Sequence, residues 1–146
     1  KEMAAHGYEV FITSAYRSYE YQQTLYNTYF EQEKANHPGW TDEQIKAVVA
    51  RGGWIGVNFY PHFLSDDGKA DCVTIAQHID HICQMGGGDI VGFGSDFDGI
   101  ECTPDDLQHA GQMGNLLDAL RRYGYNEESI AGIAGGNLLK YYQRLA

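Results

Sequence analysis

The sequence predicts an α/β fold in which parallel strands alternate with helices. Two apolar, β-rich runs, residues 54–60 and 90–94, flank a segment over residues 72–85 whose apolar side chains recur at helical spacing. A strand, a helix and a second strand in this order indicate a right-handed crossover and a parallel sheet. The composition agrees, because a chain of 146 residues that is 43% hydrophobic and 13% aromatic can bury a core.

Local signals mark where the helices begin and end. Thr41 opens a capping-box pattern with Gln44, so a helix is expected over residues 41–51. The run Gly86–Gly88 follows the central helix rather than preceding one, so it is a helix terminus and not a phosphate-binding loop. Three further helical segments are expected after Pro104: residues 113–123, 127–134 and 137–145.

An extra strand–helix unit is expected at the N-terminal end. Residues 8–13 are β-rich, and a helix from Ser18 to about residue 35 follows them. We therefore expect two parts in the chain, residues 1–35 and residues 36–146.

Charge and cysteine usage exclude several classes of partner. The net charge of −10 and the pI of about 4.8 disfavour binding to nucleic acid or to an anionic membrane surface. No apolar run is long enough for a transmembrane segment, and no basic, apolar leader opens the chain. The odd number of cysteines and the lack of any C-x-x-C spacing predict reduced thiols and a cytoplasmic location.

The motif richest in chemistry is IVGFGSDFDG at residues 90–99. The pattern predicts an apolar strand that ends at Gly94, followed by a loop that carries Asp96 and Asp98. Because catalytic groups in α/β barrels come from the carboxyl ends of the strands, Asp96 is a candidate site residue. The alternative is an aspartate that only caps a helix or a turn.

Histidines offer a weaker metal signal. His78 and His81 share one helix face, with Asp80 between them, but catalytic zinc takes roughly three protein ligands and no third one at useful spacing is evident. Packing or a surface position is therefore the favoured role, and no metal ligand is assigned. Among the other histidines, His62 deserves notice because it follows the strand nearest the expected site.

A series of motifs resembles the membrane (renal) dipeptidase family, over roughly residues 41–146. They are, in chain order, TDEQIK at 41–46, GGWIGVNFYP at 52–61, IAQHIDHI at 75–82, VGFGSDFDG at 91–99 and IAGGNLL at 133–139. The resemblance implies a zinc-dependent (β/α)8 TIM barrel that hydrolyses dipeptides. This chain would carry a partial, TIM-barrel-like piece made of the last strands and their helices.

The same resemblance implies roles for individual residues. Asp96 matches the catalytic aspartate beside the metal centre, and Phe63 falls at an aromatic position of the substrate pocket. Asn58 and Tyr60 belong to the same strand end and are expected to bind substrate. The family's zinc ligands lie upstream of the matched part, so the metal set is not complete in this chain.

The N-terminal residues are similar to a different family. GYEVFITSAYRS at 7–18 and YEYQQTLY at 19–26 resemble the zinc D-alanyl-D-alanine carboxypeptidases of the vancomycin-resistance type. That resemblance implies that Arg17 binds the substrate's terminal carboxylate, a task suited to a guanidinium fork. The alternative is a surface arginine paired with Glu9 or Glu20. The metal motif of that family does not appear.

These observations predict a zinc-dependent, dipeptidase-like metallopeptidase whose partner is a small dipeptide substrate. The isolated chain is expected to be poorly active or inactive, because its metal ligands are missing. The alternative functions are a non-catalytic peptide- or peptidoglycan-binding module and a D-alanyl-D-alanine carboxypeptidase-related fragment. A partial barrel leaves strand edges open, which favours self-association.

Overall fold

The computed structural model describes residues 40–145, which contain the expected alternation of strands and helices. In the first half of this region the elements are α1 (Trp40–Ala50), β1 (Ile55–Asn58), α2 (Pro61–Leu64), α3 (Cys72–Ile82) and β2 (Val91–Ser95). The predicted helix over residues 41–51 and both predicted strands of this region are confirmed to within two residues at each end. The strand expected at residues 8–13 and the helix from Ser18 lie outside the described residues.

The second half of the described region is helical. Its elements are a 3-10 turn (Ala110–Gln112), α4 (Met113–Tyr123), α5 (Glu127–Ala131) and α6 (Asn137–Leu145). A wide turn, Gly132–Gly136, joins α5 to α6 and is kinked at Gly135. The helix predicted over residues 127–134 is therefore shorter than expected, because three glycines in this turn favour a break in the helix.

Strands β1 and β2 are parallel neighbours, as predicted. Ile55 lies opposite Val91 and Val57 opposite Phe93, and the register then shifts so that Asn58 lies opposite Ser95. Gly94 is the extra residue, and a Cβ there would lie 2.8 Å from the backbone carbon of Gly56. Glycine thus permits a bulge at the end of β2, a feature that re-aims the following side chain.

The core joins the sheet to α3 and α4. Ile75 and Ile79 of α3, one turn apart, and Leu116 and Leu120 of α4, also one turn apart, are fully buried in one apolar cluster with Phe59. Complete burial of each such side chain contributes on the order of 1.5–3 kcal/mol. This packing holds the carboxyl ends of β1 and β2 together at one edge of the sheet.

Three local features were not expected from the sequence. Asp71 caps α3 in a reciprocal box, its side chain accepting a hydrogen bond from the Thr74 backbone N–H at 2.8 Å. The short helix α2 starts at Pro61, because a proline suits the first helical position. The central helix ends at Ile82 rather than at residue 85, and a wide turn with φ 87° at Gly86 follows it.

Candidate active site at the carboxyl ends of the strands

Asn58 and Asp96 meet where the two strands end. Asn58 is the last residue of β1, and Asp96 follows the last residue of β2. The Asn58 side-chain amide donates a hydrogen bond from Nδ2 to Asp96 Oδ2 at 2.9 Å. Asp96 itself is exposed, so its carboxylate is available to a ligand. The structure therefore brings together two of the residues that the sequence proposed for the site.

The backbone that presents Asp96 is strained. Ser95 has a φ of 47° and Asp96 a φ of 72°, and these are the non-glycine residues with positive φ among residues 40–145. Such conformations cost of order 1–3 kcal/mol each and persist where the surrounding structure enforces them. Here the enforcement includes the bulge at Gly94 and a hydrogen bond from Phe59 N–H to the Ser95 carbonyl at 3.0 Å.

A tight turn follows Asp96. The Gly99 N–H donates a hydrogen bond to the Asp96 carbonyl at 2.9 Å, and the Asp96 carboxylate lies against the Gly99 backbone. Sequence reasoning did not single out Gly99. The signal that points to it is the D-x-D-G spacing, which places a residue without a side chain three positions after the candidate acid.

Tyr60 connects Asn58 to an aromatic wall. Its backbone N–H donates to Asn58 Oδ1 at 2.8 Å. Its ring contacts His62 at a centroid distance of 5.1 Å and Phe63 at 5.0 Å, the latter nearly perpendicular at 89°. Phe63 is 51% exposed, so this aromatic group presents an apolar surface just beyond the end of β1.

The electrostatic surroundings of Tyr60 are acidic. Partial burial raises the pKa of the Tyr60 hydroxyl, and the nearby Glu101 carboxylate and Cys102 thiol raise it further. Tyr60 therefore stays neutral at physiological pH and presents an uncharged hydroxyl rather than a phenolate.

An aromatic cluster of Phe59, Phe93 and Phe97 packs next to the polar pair. Phe59 is fully buried, and its ring packs edge-on against Phe93 at 6.0 Å and Phe97 at 5.7 Å. Phe59 lies next to Asn58 in the chain, and Phe97 lies next to Asp96. The group thereby anchors both strand ends that carry the polar pair.

The histidine and aspartate side chains of α3 each have a partner of their own. His78 Nε2 lies 2.8 Å from the Leu64 carbonyl oxygen, and His81 Nε2 lies 2.7 Å from Asp42 Oδ1. Asp80 accepts a hydrogen bond from the Tyr125 hydroxyl at 2.8 Å. These contacts tie α3 to other elements of the fold.

Comparison with known families decides the ancestry of the larger part of the chain. The family model described as "Membrane dipeptidase (Peptidase family M19)" matches residues 29–145. The chain belongs to the membrane dipeptidase family. A second model, for D-alanyl-D-alanine carboxypeptidases of the VanY type, matches residues 1–54. Both resemblances that the sequence motifs indicated are thus confirmed.

Curated relatives of this dipeptidase-family chain are longer than the chain itself. An uncharacterised protein from the pqqA 5′ region of Klebsiella pneumoniae is 42% identical over 91 residues, covering 60% of this chain and 33% of the relative. An uncharacterised dipeptidase of Schizosaccharomyces pombe is 35% identical over 107 residues, covering 70% of this chain and 26% of the relative. The chain thus spans about a quarter to a third of their length.

Solved structures give the same result for the fold. Dipeptidase AC, a metallopeptidase, matches with a TM-score of 0.66 and 30% identity over 70% of this chain and 31% of its own. A metallopeptidase from Rhodobacter sphaeroides, bound to a phosphinate mimic of L-Ala-D-Ala, matches with the same TM-score and identity over 30% of its length. An amidohydrolase from Pseudomonas aeruginosa, 22% identical with a TM-score of 0.62, shares the fold.

The family's members are zinc metallopeptidases, and the residues described here do not fit a zinc site. Within residues 40–145, no three His, Cys, Asp or Glu side chains converge in a way that could hold a metal ion. The neighbour that Asp96 has in this region is the Asn58 amide, a hydrogen-bond donor rather than a metal ligand. Phe63 lies beside Tyr60 as described above, and Arg17 lies outside the described residues.

Proposed function

We propose that this chain carries the Asp96 side of a dipeptide site and takes part in the hydrolysis of dipeptides by the zinc-dependent reaction of its family. The observation that carries the proposal is the Asn58–Asp96 hydrogen bond at the carboxyl ends of two parallel strands. The strand ends are where α/β barrels assemble their catalytic groups. Because the described residues do not fit zinc, we expect the isolated chain to be poorly active or inactive.

The role proposed for Asp96 is to bind the ammonium group of the peptide or to hold the proton that passes to the departing amine. A carboxylate accepts hydrogen bonds only, so it suits a cationic donor. Asp96 is exposed, and the aromatic group of Tyr60 and Phe63 offers an apolar wall nearby. A family member binds a mimic of L-Ala-D-Ala, which makes this dipeptide the natural probe.

We also propose how the parts of this chain correspond to a complete barrel and to a second, N-terminal unit. The two parallel strands and their helices correspond to the last strands and helices of a (β/α)8 barrel, and residues 1–35 add a carboxypeptidase-like strand–helix unit before residues 36–146. A small dipeptide is the expected partner, self-association through the open strand edges is expected, and the location is cytoplasmic. No helix among residues 40–145 is long and apolar enough to cross a membrane.

The test is binding of L-Ala-D-Ala to the full chain, measured by NMR titration with and without added zinc. Asp96→Asn is expected to weaken binding about tenfold, because it removes a charge-assisted hydrogen bond while keeping the shape of the side chain. N-acetyl-L-Ala-D-Ala, which lacks the ammonium group, should lose affinity similarly in the wild type. Asp98→Asn, an exposed neighbour, is the matched control and should bind as the wild type does.

Hydrolysis of the same dipeptide and the zinc content of the same sample complete the test. Binding that is equal in the wild type and in Asp96→Asn would contradict the role of Asp96. Zinc-dependent cleavage by the chain alone, well above the blank and lost in Asp96→Asn, would instead overturn the expectation that the isolated chain is inactive.

The second candidate is a non-catalytic module that binds peptide or peptidoglycan C-termini through Arg17. The observation that favours it is the D-alanyl-D-alanine carboxypeptidase match over residues 1–54. It predicts binding of D-Ala-D-Ala that survives a chelator and is lost in Arg17→Ala. Binding that depends on Asp96 and not on Arg17 would favour the first proposal.

A further inference from the structure

The Asn58 side-chain amide is hydrogen-bonded at both ends. Its Oδ1 accepts from the Tyr60 backbone N–H at 2.8 Å, and its Nδ2 donates to Asp96 Oδ2 at 2.9 Å. An amide has distinct donor and acceptor ends, so the bond to the Tyr60 N–H determines which end faces Asp96. The orientation of the Asn58 donor is therefore set by the backbone just beyond β1.

The Asp96 carboxylate needs such a partner because it lies on the surface. An exposed aspartate that lacks a fixed hydrogen bond samples several side-chain rotamers, and holding one of them costs conformational entropy. The strained backbone at Ser95 and Asp96 points the side chain toward β1, where Asn58 meets it. Without the Asn58 donor, nothing else in the hydrogen bonding of residues 40–145 restrains the two carboxylate oxygens.

We infer that Asn58 is a positioning residue, which holds the Asp96 carboxylate in the orientation that meets the peptide, rather than a residue that contacts the peptide itself. The inference rests on the role proposed for Asp96. It gives Asn58 a different task from the substrate contact that the family resemblance implied. Preorganised side chains bind better because the cost of ordering them is met before the ligand arrives.

The variant Asn58→Asp distinguishes a positioning role of Asn58 from a purely structural one. In Asn58→Asp, a carboxylate oxygen still accepts from the Tyr60 N–H, so the local structure after β1 is kept. The donor to Asp96 is lost, and a second negative charge faces the first. Asn58→Leu, similar in size, loses both hydrogen bonds. A purely structural role predicts damage only in Asn58→Leu, whereas a positioning role predicts that both variants release Asp96.

The experiment is NMR on the isotopically labelled full chain, with three-bond couplings reporting the Asp96 side-chain rotamer. The wild type should show one dominant rotamer, and both Asn58 variants should show averaged couplings. L-Ala-D-Ala affinity should fall about tenfold in both, as expected for loss of one charge-assisted contact. Asn126→Asp is the matched control, because Asn126 caps α5 through its side-chain oxygen and an aspartate caps equally well.

Two results would overturn the inference: averaged Asp96 couplings in the wild type, or a wild-type rotamer and affinity retained in Asn58→Asp. Thermal unfolding of each variant verifies that it is folded, and Asn58→Asp remains informative if Asn58→Leu does not fold. If the wild type has one rotamer, released in Asn58→Asp, but binds no L-Ala-D-Ala, then the positioning of Asp96 stands and the proposed function fails.

Discussion

Gly99 leaves the space that the Asp96 carboxylate occupies. A Cβ placed on Gly99 would lie 3.0 Å from Asp96 Cγ and closer still to Oδ1. The same backbone turn that brings Gly99 there is closed by the hydrogen bond from the Gly99 N–H to the Asp96 carbonyl. The candidate acid is thus positioned from two sides, by a donor on β1 and by the absence of a side chain on its own loop.

Gly99→Ala should therefore displace the Asp96 carboxylate without unfolding the protein. The added methyl group meets the end of a flexible side chain, so Asp96 rotates away and loses its bond to Asn58. We expect about a tenfold loss of L-Ala-D-Ala affinity, with little change in the thermal unfolding midpoint.

The control for this substitution is Gly114→Ala in α4, where a Cβ meets no atom within 4 Å. Alanine is the better helix former by about 1 kcal/mol, so this variant should be as stable as the wild type or more so, and its dipeptide binding should not change. An unchanged Asp96 rotamer in Gly99→Ala would refute the steric argument.

Asn137 should be among the most sensitive polar positions for stability. It is 2% exposed, and its Nδ2 donates to the carbonyl oxygens of Gly88 and Val91, each at 2.9 Å. Asn137→Ala leaves these backbone acceptors without a donor, which should lower the free energy of unfolding by about 2–3 kcal/mol. Urea denaturation measures this change.

The comparison for Asn137 is Asn115→Ala. Asn115 is exposed and donates one hydrogen bond, to the Asp106 carbonyl at 2.7 Å. Its removal should cost less than about 1 kcal/mol, because water replaces the donor. Equal losses in the two variants would show that burial of the Asn137 bonds is not what makes them important.

The Asp71 cap predicts a specific loss of stability in acid. The Thr74 backbone N–H holds the pKa of the Asp71 carboxyl below its usual value, with the Thr74 hydroxyl adding to the effect. Because the pKa of Asp71 is lower in the folded protein than in the unfolded chain, the stabilisation by this cap is fully present above the unfolded-state pKa, roughly 4. This stabilisation is lost as the pH falls through the pKa that Asp71 has in the folded protein.

Asp71→Asn tests this linkage, because asparagine also caps helices but does not titrate. Between pH 6 and pH 3, the urea midpoint of Asp71→Asn should fall less than the urea midpoint of the wild type. Asp71→Ala should lose about 1 kcal/mol already at neutral pH, since it lacks the cap. If the urea midpoints of the wild type and of Asp71→Asn fell in parallel with pH, the Asp71 carboxyl would not contribute to the loss of stability in acid.

The three free thiols should differ widely in reactivity. Cys102 is exposed, Cys83 is partly buried, and Cys72 is fully buried at the start of α3. Burial, assisted by the Asp106 carboxylate, raises the pKa of Cys72 to about 12, so almost no thiolate is present at neutral pH. Burial likewise raises the pKa of Cys83.

With a chromogenic disulfide reagent at pH 8, Cys102 should account for the fast phase, and Cys72 should react only on unfolding. Cys102→Ser should remove the fast phase without changing the slow one. A fast phase that persists in this variant would mean that Cys83 or Cys72 opens readily to solvent.

The order of elements around the site could be predicted because its signals are local. Apolar spacing predicted α3, and the glycines after it predicted its end, to within a few residues. The short helix α2 was missed because a proline after a strand is read equally well as a terminator or as a first helical residue. The Asp71–Thr74 box was missed because its second partner is threonine rather than the glutamate or glutamine of the usual pattern.

By itself, the sequence determined the strand–helix–strand order, the dipeptidase family, and the position of Asp96 just after an apolar strand. Only the tertiary structure decided what Asp96 contacts, since its partner Asn58 lies 38 residues away in the chain. That contact depends on the parallel pairing of β1 with β2, on the register shift at Gly94 and on positive φ at two residues. Side-chain periodicity reports which residues are buried, but it carries no information about register between distant strands or about the direction of a side chain beyond a bulge.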